Sequence, residues 1–385
     1  MNTLFVTVDP AYPPISGVDL RSWQNVTAAS ELGLVLLASI GRPGPEIPPA
    51  GIEIGHIAGT DTSEVWRRDF DVQFSPETIA QFRAISERFQ PDVTVLESLP
   101  LCGLAAVARE FSQGLVIDLH NVESDLVAQS ARRQTDPETR SLLESQARQI
   151  AAVEQKAAAV ADMLWVCSAI DRDHLVRDGA DARKICVVPN GIPRPEGIPD
   201  WLPRKETGRQ PSLLFIGHLG YLPNIEAALA LIEIMPALWE RIAGARLILA
   251  GRNPHPVITS RAQSGKITVV ANPVSTSTLL AGADLAVMPL LQGGGTRIKA
   301  LEAIAWGLPI VATARAVEGL QLEDKVHVRI AETKREFVTA ICDLCENPEL
   351  YESQRIAARR HVLDNFGPEV IRRVLQGGLR LALQS

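Results

Sequence analysis

Residues 288–313 read MPLLQGGGTRIKALEAIAWGLPIVAT. Three consecutive glycines, Gly293 to Gly295, precede a short helical pattern, and a strand-like run, LPIVAT, follows it. Glycines let the backbone bend tightly and approach a ligand without a Cβ clash. The first turn of the helix beyond them offers unpaired N–H groups and a partial positive charge. Because Arg297 and Lys299 add full positive charge there, this turn is predicted to bind a diphosphate.

Glu302 is the carboxylate of this otherwise apolar helix. It lies one turn behind Lys299, at the edge of the core face that Ile298, Leu301 and Ala305 form at helical spacing. A carboxylate in such a place is costly unless it has partners. Its two oxygens can accept both hydroxyls of a ribose, which suits a position behind a phosphate-binding turn. Alternatively, Lys299 and Glu302 form a surface pair worth only about 0.2–0.5 kcal/mol. The residues alone leave both interpretations open.

The same alternation of short apolar runs and helical patterns extends in both directions from this stretch. Runs such as TLFVTV, GLVIDLH, SLLFIG and ARLILAG are hydrophobic throughout, which is typical of parallel strands buried on both faces by helices. Residues 193–212 hold five prolines and read as a linker. The sequence therefore predicts two doubly wound domains with a cleft between them, and ligands beyond the carboxyl ends of the strands.

Length and composition exclude several classes of protein. A chain of 385 residues is too long for one ordinary core, and 46% hydrophobic with 22% charged residues is typical of a soluble globular protein. The net charge of −7 argues against a general nucleic-acid binder. Five scattered cysteines fit a reducing cytoplasm, and the C-x-x-C of Cys342 and Cys345 lies in a helical pattern that favours packing over zinc. We expect neither a signal peptide nor a membrane-spanning segment.

Side chains that end or follow predicted strands are further candidates, because loops there carry function more often than packing. His120 follows GLVIDL, a position that favours function although a lone histidine is more often structural. Glu97 ends DVTVLES and is a candidate for the acceptor side. Arg21 either reaches a phosphate or is solvated. Glu123 and Asp125 either touch the acceptor or cap the next helix, and the cap is favoured.

The stretch GGGTRIKALEAIAWGLPIVATARAVEGL resembles the C-terminal signature of GT-B glycosyltransferases of the family-4 type, the glycosyl transferases group 1. Other segments fit the same family in order along the chain. PPISGVDLR resembles its N-terminal glycine loop, VCSAIDRDHL its S-x-x-D segment, and VVPNGI the end of its first domain. LLFIGHLGYLPN resembles the first strand and turn of the donor domain. The resemblance covers essentially the whole chain.

The resemblance implies roles for positions of this chain. Glu302 matches the second Glu of an E-x7-E motif and would bind the donor ribose. The first Glu is replaced by Gly294, so backbone N–H groups would take over its contact with the sugar. The segment GHLGYLPNIEAAL lacks the Arg and Lys with which many members hold the diphosphate. Arg297 and Lys299, beyond the glycine turn, would bind the diphosphate instead. The donor-binding residues implied in this way are Gly17, Gly217, Gly294, Gly295, Thr296, Arg297, Lys299 and Glu302.

The predicted fold class is α/β and GT-B, with two Rossmann-like domains facing a cleft. The expected domains are an acceptor-side domain over residues 1–195, a donor-binding domain over 205–365, and a final helix over 366–385 that packs back on the first domain. The resemblance implies that a residue in the loop of His120 faces the donor sugar across the cleft, and His120 is the predicted catalytic residue. The acidic residues at 171–173 lie in a helical pattern, so we expect no metal site.

The predicted function is transfer of a sugar, a hexose, from a nucleotide-diphosphate sugar to an acceptor hydroxyl, with retention and without metal or cofactor. The acceptor would be a sugar, a lipid-linked or a small molecule, in polysaccharide, glycolipid or glycoside biosynthesis in the cytoplasm. Acidic residues interleaved through residues 129–162 weaken the case for peripheral membrane contact. The alternative is a GT-B protein without transferase activity, an epimerase or a nucleotide-sugar binder. A nicotinamide-dependent oxidoreductase is disfavoured, because DPAYPPISG lacks G-x-G-x-x-G.

Overall fold

The computed structural model describes residues 1–44, 51–59, 70–200, 210–262, 265–294 and 297–384. Its contacts divide the chain into two units. Unit 1 comprises Met1–Gly191 together with Pro368–Ser385, and unit 2 comprises Ile192–Gly367. Each unit contains one parallel sheet whose strands alternate with helices along the chain. The prediction of two doubly wound α/β domains is confirmed.

Unit 1 is built on a seven-stranded parallel sheet. Its strands are β1 (Thr3–Thr7), β2 (Val35–Ser39), β3 (Ile52–His56), β4 (Val93–Glu97), β5 (Gly114–Leu119), β6 (Met163–Val166) and β7 (Ile185–Val187). Their order across the sheet is β3-β2-β1-β4-β5-β6-β7. Every residue of β1, β4 and β5 is buried, as expected for strands covered on both faces. The strand order reverses between β1 and β4, which is where ligands bind in such sheets.

Helices cover both faces of this sheet, and most begin at a side chain that caps them. They are α1 (Gly17–Ser30), α2 (Pro76–Phe89), α3 (Ala105–Ala108), α4 (Glu123–Arg133), α5 (Pro137–Val160) and α6 (Ala169–Arg177). Ser75, Asp136 and Ser168 accept hydrogen bonds from the first turns of α2, α5 and α6. Because Ser168 caps α6, the acidic residues at 171–173 lie in that helix, as predicted.

The start of α4 differs from the prediction. Val122 occupies the N-cap position, and neither Glu123 nor Asp125 caps the helix. Instead, the carboxylate of Glu154, from α5, accepts the backbone N–H of Ser124 at 3.2 Å and its hydroxyl at 2.5 Å. Burial raises the pKa of Glu154 to about 7, against the opposing effect of the Ser124 hydrogen bonds. A neighbouring helix therefore supplies the cap that the local sequence lacks.

Unit 2 is built on a six-stranded parallel sheet in the order β10-β9-β8-β11-β12-β13. The strands are β8 (Ser212–Ile216), β9 (Arg246–Gly251), β10 (Ile267–Ala271), β11 (Leu285–Met288), β12 (Ile310–Ala312) and β13 (Arg329–Ile330). The helices are α7 (Leu222–Arg241), α8 (Pro256–Thr259), α9 (Ser277–Gly282), α10 (Ile298–Ala305), α11 (Lys334–Glu346) and α12 (Pro348–Phe366). Of the predicted linker over 193–212, residues 201–209 lie outside the described residues.

Helix α7 is long and apolar enough, by length and composition, to cross a membrane. Ala227, Leu231, Met235 and Leu238 follow one another at helical spacing and are buried in the core of unit 2. A helix that buries one face in a domain core passes the same test of length and composition, and the packing of α7 is of that kind.

The last helix, α13 (Pro368–Ala382), belongs to unit 1. Its buried stripe, Ile371, Leu375, Leu379 and Ala382, has helical spacing and packs in the same core cluster as residues of β1, β4 and β5. It also contacts α1. The chain therefore returns to its first unit after completing the second.

Gly251 ends β9 at a point where no side chain fits. Its φ is +153°, and a Cβ placed there would lie 1.6 Å from the carbonyl oxygen of Gly217, which follows β8. We expect Gly251→Ala to lower the unfolding free energy of unit 2 by about 1–3 kcal/mol or more through this overlap. Gly265→Ala is the matched control, because Gly265 also has positive φ but no described atom within 4 Å of the added Cβ. Thermal melts of both variants should show the larger loss for Gly251→Ala, and equal losses would contradict the contact.

Candidate functional site

At the carboxyl edge of the unit 1 sheet, polar side chains from three elements form one buried cluster. β4 ends with Glu97, β5 carries Asp118 and is followed by His120, and α1 contributes one polar face. We call the following residues the unit 1 cluster: Arg21, Ser22, Asn25, Glu97, Asp118 and His120. All of them except His120 are buried, and the His120 side chain is 9% exposed.

An ion pair between Arg21 and Asp118 is the centre of the unit 1 cluster. The guanidinium donates to both carboxylate oxygens, at 2.7 and 2.6 Å, and also to Val188 O and Asn190 Oδ1. Burial raises the pKa of Asp118 although the charge of Arg21 opposes it. Both predicted alternatives for Arg21, a phosphate contact or a solvated side chain, are wrong, because its partner lies inside the sheet.

Glu97 lies in the same cluster rather than on an acceptor surface. Its side chain has no exposed area and accepts hydrogen bonds from Ser22 Oγ, Asn25 Nδ2 and His120 Nε2, each at 3.0 Å. Burial by itself would raise the pKa of Glu97, but the His120 hydrogen bond, Asn25 and the charge of Arg21 bring it below its ordinary value. The expectation that Glu97 touches the acceptor is therefore corrected: a fully covered carboxylate contacts only protein.

Glu97, Asp118 and His120 present ligand atoms within 4.8 Å of one another, the arrangement of a potential metal site. Both oxygens of each carboxylate already accept hydrogen bonds, those of Glu97 from Ser22, Asn25 and His120, and those of Asp118 from Arg21 and Asn25. The guanidinium of Arg21 also supplies the positive charge that a cation would bring. The donor set fits a hydrogen-bonded cluster and does not fit a metal ion.

His120 lies directly after β5, where the sequence placed it. Its Nε2 bonds to Glu97, and its carbonyl accepts the Cys167 thiol at 3.2 Å. Nearby, burial raises the pKa of Glu123, whose carboxylate accepts Asn121 Nδ2 at 3.1 Å. The catalytic assignment of His120 stays a prediction, and the side chains around it are buried, charged and joined by hydrogen bonds.

Gly17 is the first residue of α1 and follows a capping box. The carboxylate of Asp19 accepts the backbone N–H of Ser16 at 2.8 Å, and the Ser16 hydroxyl accepts that of Asp19. This places a negative charge at the start of the helix. The implied contact of Gly17 with the donor therefore has no support from the local charge.

In unit 2, the carboxyl edge of the sheet brings α10 next to the loop after β8. Lys299 Nζ donates to Asn224 Oδ1 at 2.7 Å and lies 5.2 Å from the centre of the Phe215 ring. Burial, with a contribution from the charge of Arg297, lowers the pKa of Lys299 to about 7. Gly217 packs against the Asn224 side chain, with a hypothetical Cβ 3.0 Å away. Lys299, whose ammonium form is disfavoured by burial, thus lies at the edge where ligands bind in such sheets.

Glu302 lies one turn further along α10. Its Oε1 accepts the Thr276 hydroxyl at 2.9 Å and Arg194 Nη1 at 3.4 Å. Within the described residues Oε2 has no partner, and it is not among the fully buried polar atoms, so it is open to a ligand. No ion pair joins Glu302 to Lys299, so the surface-pair interpretation is wrong. Burial raises the pKa of Glu302 against the effects of Thr276 and Arg194.

Arg297 occupies the N-cap position of α10. Its guanidinium is directed back into the glycine turn, where it donates to Gly294 O at 2.8 Å and to Arg315 O at 3.1 Å. Gly293, with φ +140°, leaves room for it, because a Cβ there would lie 2.4 Å from Arg297 Nη1. Arg297 holds the turn, and its assignment to the diphosphate stays a prediction. Gly295 and Thr296 lie outside the described residues.

Several residues of these sites were not found from the sequence. In unit 2 they are Asn224, Thr276 and Arg194, which contact Lys299 or Glu302 from other segments of the chain. In unit 1 they are Ser22, Asn25 and Asp118. A signal existed for Asp118, because an acidic residue inside the apolar run GLVIDL needs a buried partner. The sequence did not identify Arg21 as that partner, because it lies 97 residues away along the chain.

Two protein-family models match this chain. The model described as glycosyl transferase 4-like domain matches residues 27–191, and the model described as glycosyl transferases group 1 matches residues 210–347. The first match lies within unit 1 and the second within unit 2. A search of curated proteins finds no significant match.

Solved structures of similar fold cover nearly the whole chain at low sequence identity. The sucrose-phosphate synthase of Thermosynechococcus elongatus is 15% identical, with TM-score 0.76 and 98% of both chains covered. Anabaena HepE in complex with UDP-glucose is 14% identical, with TM-score 0.69 and 99% of both chains covered. WaaG, a glycosyltransferase involved in lipopolysaccharide biosynthesis, is 17% identical, with TM-score 0.69, covering 97% of this chain and all of that one. At these identities the likeness shows the GT-B fold.

The ion pair of the unit 1 cluster gives a stability prediction. Asp118→Asn leaves the guanidinium of Arg21 buried beside an uncharged amide, so the unfolding free energy should fall by about 3–5 kcal/mol. Asp181→Asn, which removes the carboxylate of the exposed pair with Arg183, is the control and should change little. Denaturant midpoints of the two variants test this. A small effect for Asp118→Asn would mean that Arg21 finds water or another acceptor.

Proposed function

We propose that this chain, a glycosyltransferase of GT-B fold whose two units match the glycosyl transferase 4-like and glycosyl transferases group 1 models, transfers a hexose from a uridine-diphosphate sugar to an acceptor hydroxyl. Support for the uridine nucleotide comes from HepE, a structure of similar fold that is in complex with UDP-glucose. In this proposal unit 2 binds the donor, and unit 1 contributes His120.

The observation that carries the proposal is the pair of side chains on α10. Lys299 and Glu302 are one helical turn apart. Lys299 bonds to Asn224 in the first turn of α7, which follows β8, and Glu302 bonds to Thr276 at the start of α9, which follows β10. A cation and a carboxylate held apart in this way match the two ends of a nucleoside diphosphate, because the diphosphate is anionic and the ribose offers hydroxyls. The open Oε2 of Glu302 is free to accept one of them.

The reaction develops negative charge on the departing diphosphate. Lys299 and the backbone of the glycine turn are the groups of unit 2 that stabilise this charge in the proposal. In other enzymes a metal ion stabilises the charge on the departing diphosphate. Here these groups of the protein would stabilise it, so we propose metal-independent transfer. Retention of configuration is proposed from the family resemblance. Gly294 replaces a carboxylate of the family motif, so contact with the transferred sugar falls to the backbone there.

Acceptor and compartment are proposed on weaker support. None of the five cysteines, all of them among the described residues, forms a disulfide, which suits a cytoplasmic enzyme. The long polar stretch over 129–162 forms α4 and α5, which pack against each other. Acidic and basic residues alternate along α5, and α4 carries acidic residues in its first turn and basic ones in its last. A hydroxyl acceptor in solution is therefore favoured over one that demands a basic membrane-binding face.

A nucleotide scan tests the proposed donor. In EDTA, UDP-glucose at about 100 times its Kd should stabilise the protein by roughly 2.7 kcal/mol, seen as a higher melting temperature than with GDP-, ADP- or dTDP-glucose. Glu302→Gln should weaken UDP-glucose binding by about 1.5–3 kcal/mol, since a charged acceptor is lost. Glu233→Gln, on the solvent side of α7, is the matched control.

UDP release in the presence of sugar, lipid-linked and small-molecule acceptors then identifies the transfer step. A preference for another base would overturn the uridine assignment. A melting shift that appears only with Mg²⁺ would overturn metal independence. Tight binding of UDP-glucose without transfer to any acceptor would favour a role as a nucleotide-sugar binder.

Lys299 should make donor binding depend on pH. Its pKa in the free protein is about 7, and a bound diphosphate favours the ammonium form, so binding takes up a proton above that pH. The affinity for UDP-glucose should therefore fall as pH rises from about 6 to about 8.5, approaching tenfold per pH unit at the upper end. UDP-glucose is the right probe, because it lacks the terminal phosphate whose second pKa lies near 6.

The variant Lys299→Met keeps the length of the side chain and removes the titrating group. Its affinity for UDP-glucose should be lower than that of the wild type and the same at each pH. Calorimetry in two buffers of different ionisation enthalpy measures the proton uptake directly. An affinity of the wild type that does not change over this pH range would show that Lys299 is not at the diphosphate.

A further inference from the structure

The carboxylate of Glu97 is fully buried in unit 1 and is held by several hydrogen bonds. It ends β4, has no exposed side-chain area, and accepts hydrogen bonds from Ser22 and Asn25 of α1 and from His120 after β5. Three donors from two other elements fix both of its oxygens. A buried charge of this kind is costly, and it persists where its partners are in place.

The bond between Glu97 and His120 fixes the protonation pattern of the imidazole. The hydrogen bond of His120, the amide of Asn25 and the charge of Arg21 outweigh burial and keep the pKa of Glu97 low, so its carboxylate is ionised. An ionised carboxylate only accepts hydrogen bonds. Nε2 at 3.0 Å must therefore carry a proton. In the neutral ring this leaves Nδ1 as the acceptor.

Nδ1 of His120 is open. Among the described residues it has no hydrogen-bond partner, and it is not one of the fully buried polar atoms without a partner. The side chain keeps 9% of its area exposed. A ring whose one nitrogen is anchored on a buried carboxylate and whose other nitrogen is open can accept a proton or a hydroxyl hydrogen bond from a ligand.

The other charges around the ring leave Glu97 as its main partner. Asp118 Oδ2 lies 3.6 Å from Nε2, but both Asp118 oxygens are held by Arg21 in a bidentate pair. The remaining ionisable groups near the ring are Glu123, from α4, and the Cys167 thiol, which donates to the His120 carbonyl. Neither of them bonds to a ring nitrogen, so they do not compete for Nε2.

We propose that Glu97 is the positioning residue of His120. It holds Nε2–H and thereby presents Nδ1 as an acceptor to a hydroxyl of the substrate, while Ser22 and Asn25 hold the carboxylate in place. This inference rests on the proposed function, because only a glycosyltransferase reaction supplies the substrate hydroxyl that Nδ1 of His120 would contact. Arg21 neutralises Asp118, the second carboxylate near the ring. Asp118 therefore does not compete with Glu97 for the Nε2 proton of His120.

The wild-type protein provides the first test. Nitrogen NMR of protein labelled at histidine, with the His120 signals assigned from a His120→Gln variant, should show Nε2 protonated and Nδ1 unprotonated in the neutral ring. A neutral ring protonated at Nδ1 would overturn the proposal, whatever the enzyme's activity.

The variant Glu97→Gln provides the second test. An amide can donate to Nε2 as well as accept from it, so the ring should populate the opposite tautomer and kcat should fall by at least about tenfold. The Kd for UDP-glucose should stay within about twofold, since donor binding belongs to unit 2 in the proposed function. An unchanged tautomer together with an unchanged kcat would sink the proposal.

Asp162→Asn is the matched control. Asp162 is a largely covered carboxylate of the same unit, at the opposite end of β5, where it accepts the Leu115 N–H and pairs with Arg109. The Asp162→Asn variant should be less stable than the wild type, while its His120 tautomer and its kcat should be unchanged. An equal loss of kcat in this control, or a parallel loss of kcat and UDP-glucose affinity in Glu97→Gln, would mean that Glu97 only supports the fold. If the wild type binds no nucleotide and transfers no sugar, the proposed function fails, and the tautomer measurement still decides on the Glu97–His120 pair.

Discussion

A carboxylate inside a parallel sheet that helices cover on both faces needs a buried cation, and Asp118 obtains one from Arg21. The five donors of the guanidinium reach further than this pair, because Arg21 also bonds to the backbone of Val188 and to Asn190 after β7. One side chain thus ties α1 to β5 and to the far edge of the sheet. The neighbouring turn of α1 then bonds to Glu97. The position of His120 depends on this set of contacts, since its ring bonds to Glu97.

The fold was predictable because parallel strands buried on both faces leave a clear record in sequence. Most of them are short apolar runs, but β3 (IEIGH) and the two-residue β13 are partly exposed and were not predicted from the sequence. The capping of α4 was not predictable, because its acceptor, Glu154, is thirty residues away on another helix. Local patterns report local contacts, and a cap supplied from a neighbouring helix leaves no local signal.

The candidate sites show the same difference between local patterns, which the sequence reveals, and contacts between distant residues, which it does not. Residue type and position relative to the strands indicated His120, Lys299 and Glu302, because a charged or titratable group at a strand end or in an apolar helix is conspicuous. Their partners could not be read, since Asn224 lies 75 residues from Lys299 along the chain. For Arg297 the sequence showed a charge at the start of the helix but not the direction of its side chain. Its guanidinium donates to the carbonyls of Gly294 and Arg315, contacts that a sequence does not show.

The two units treat buried charge in opposite ways, and the difference bears on function. In unit 1 the ion pair and its hydrogen bonds satisfy the charges internally, which suits a rigid base for a reactive side chain. On α10 of unit 2, burial shifts the pKa of Lys299 down and that of Glu302 up, so both ionic forms are disfavoured, and no bond joins them. A ligand that brings an anion to one and a hydroxyl to the other relieves both costs. Incomplete satisfaction of α10 in the free protein is therefore a reason for ligand affinity, and a sequence that paired these groups to each other would gain stability and lose the site.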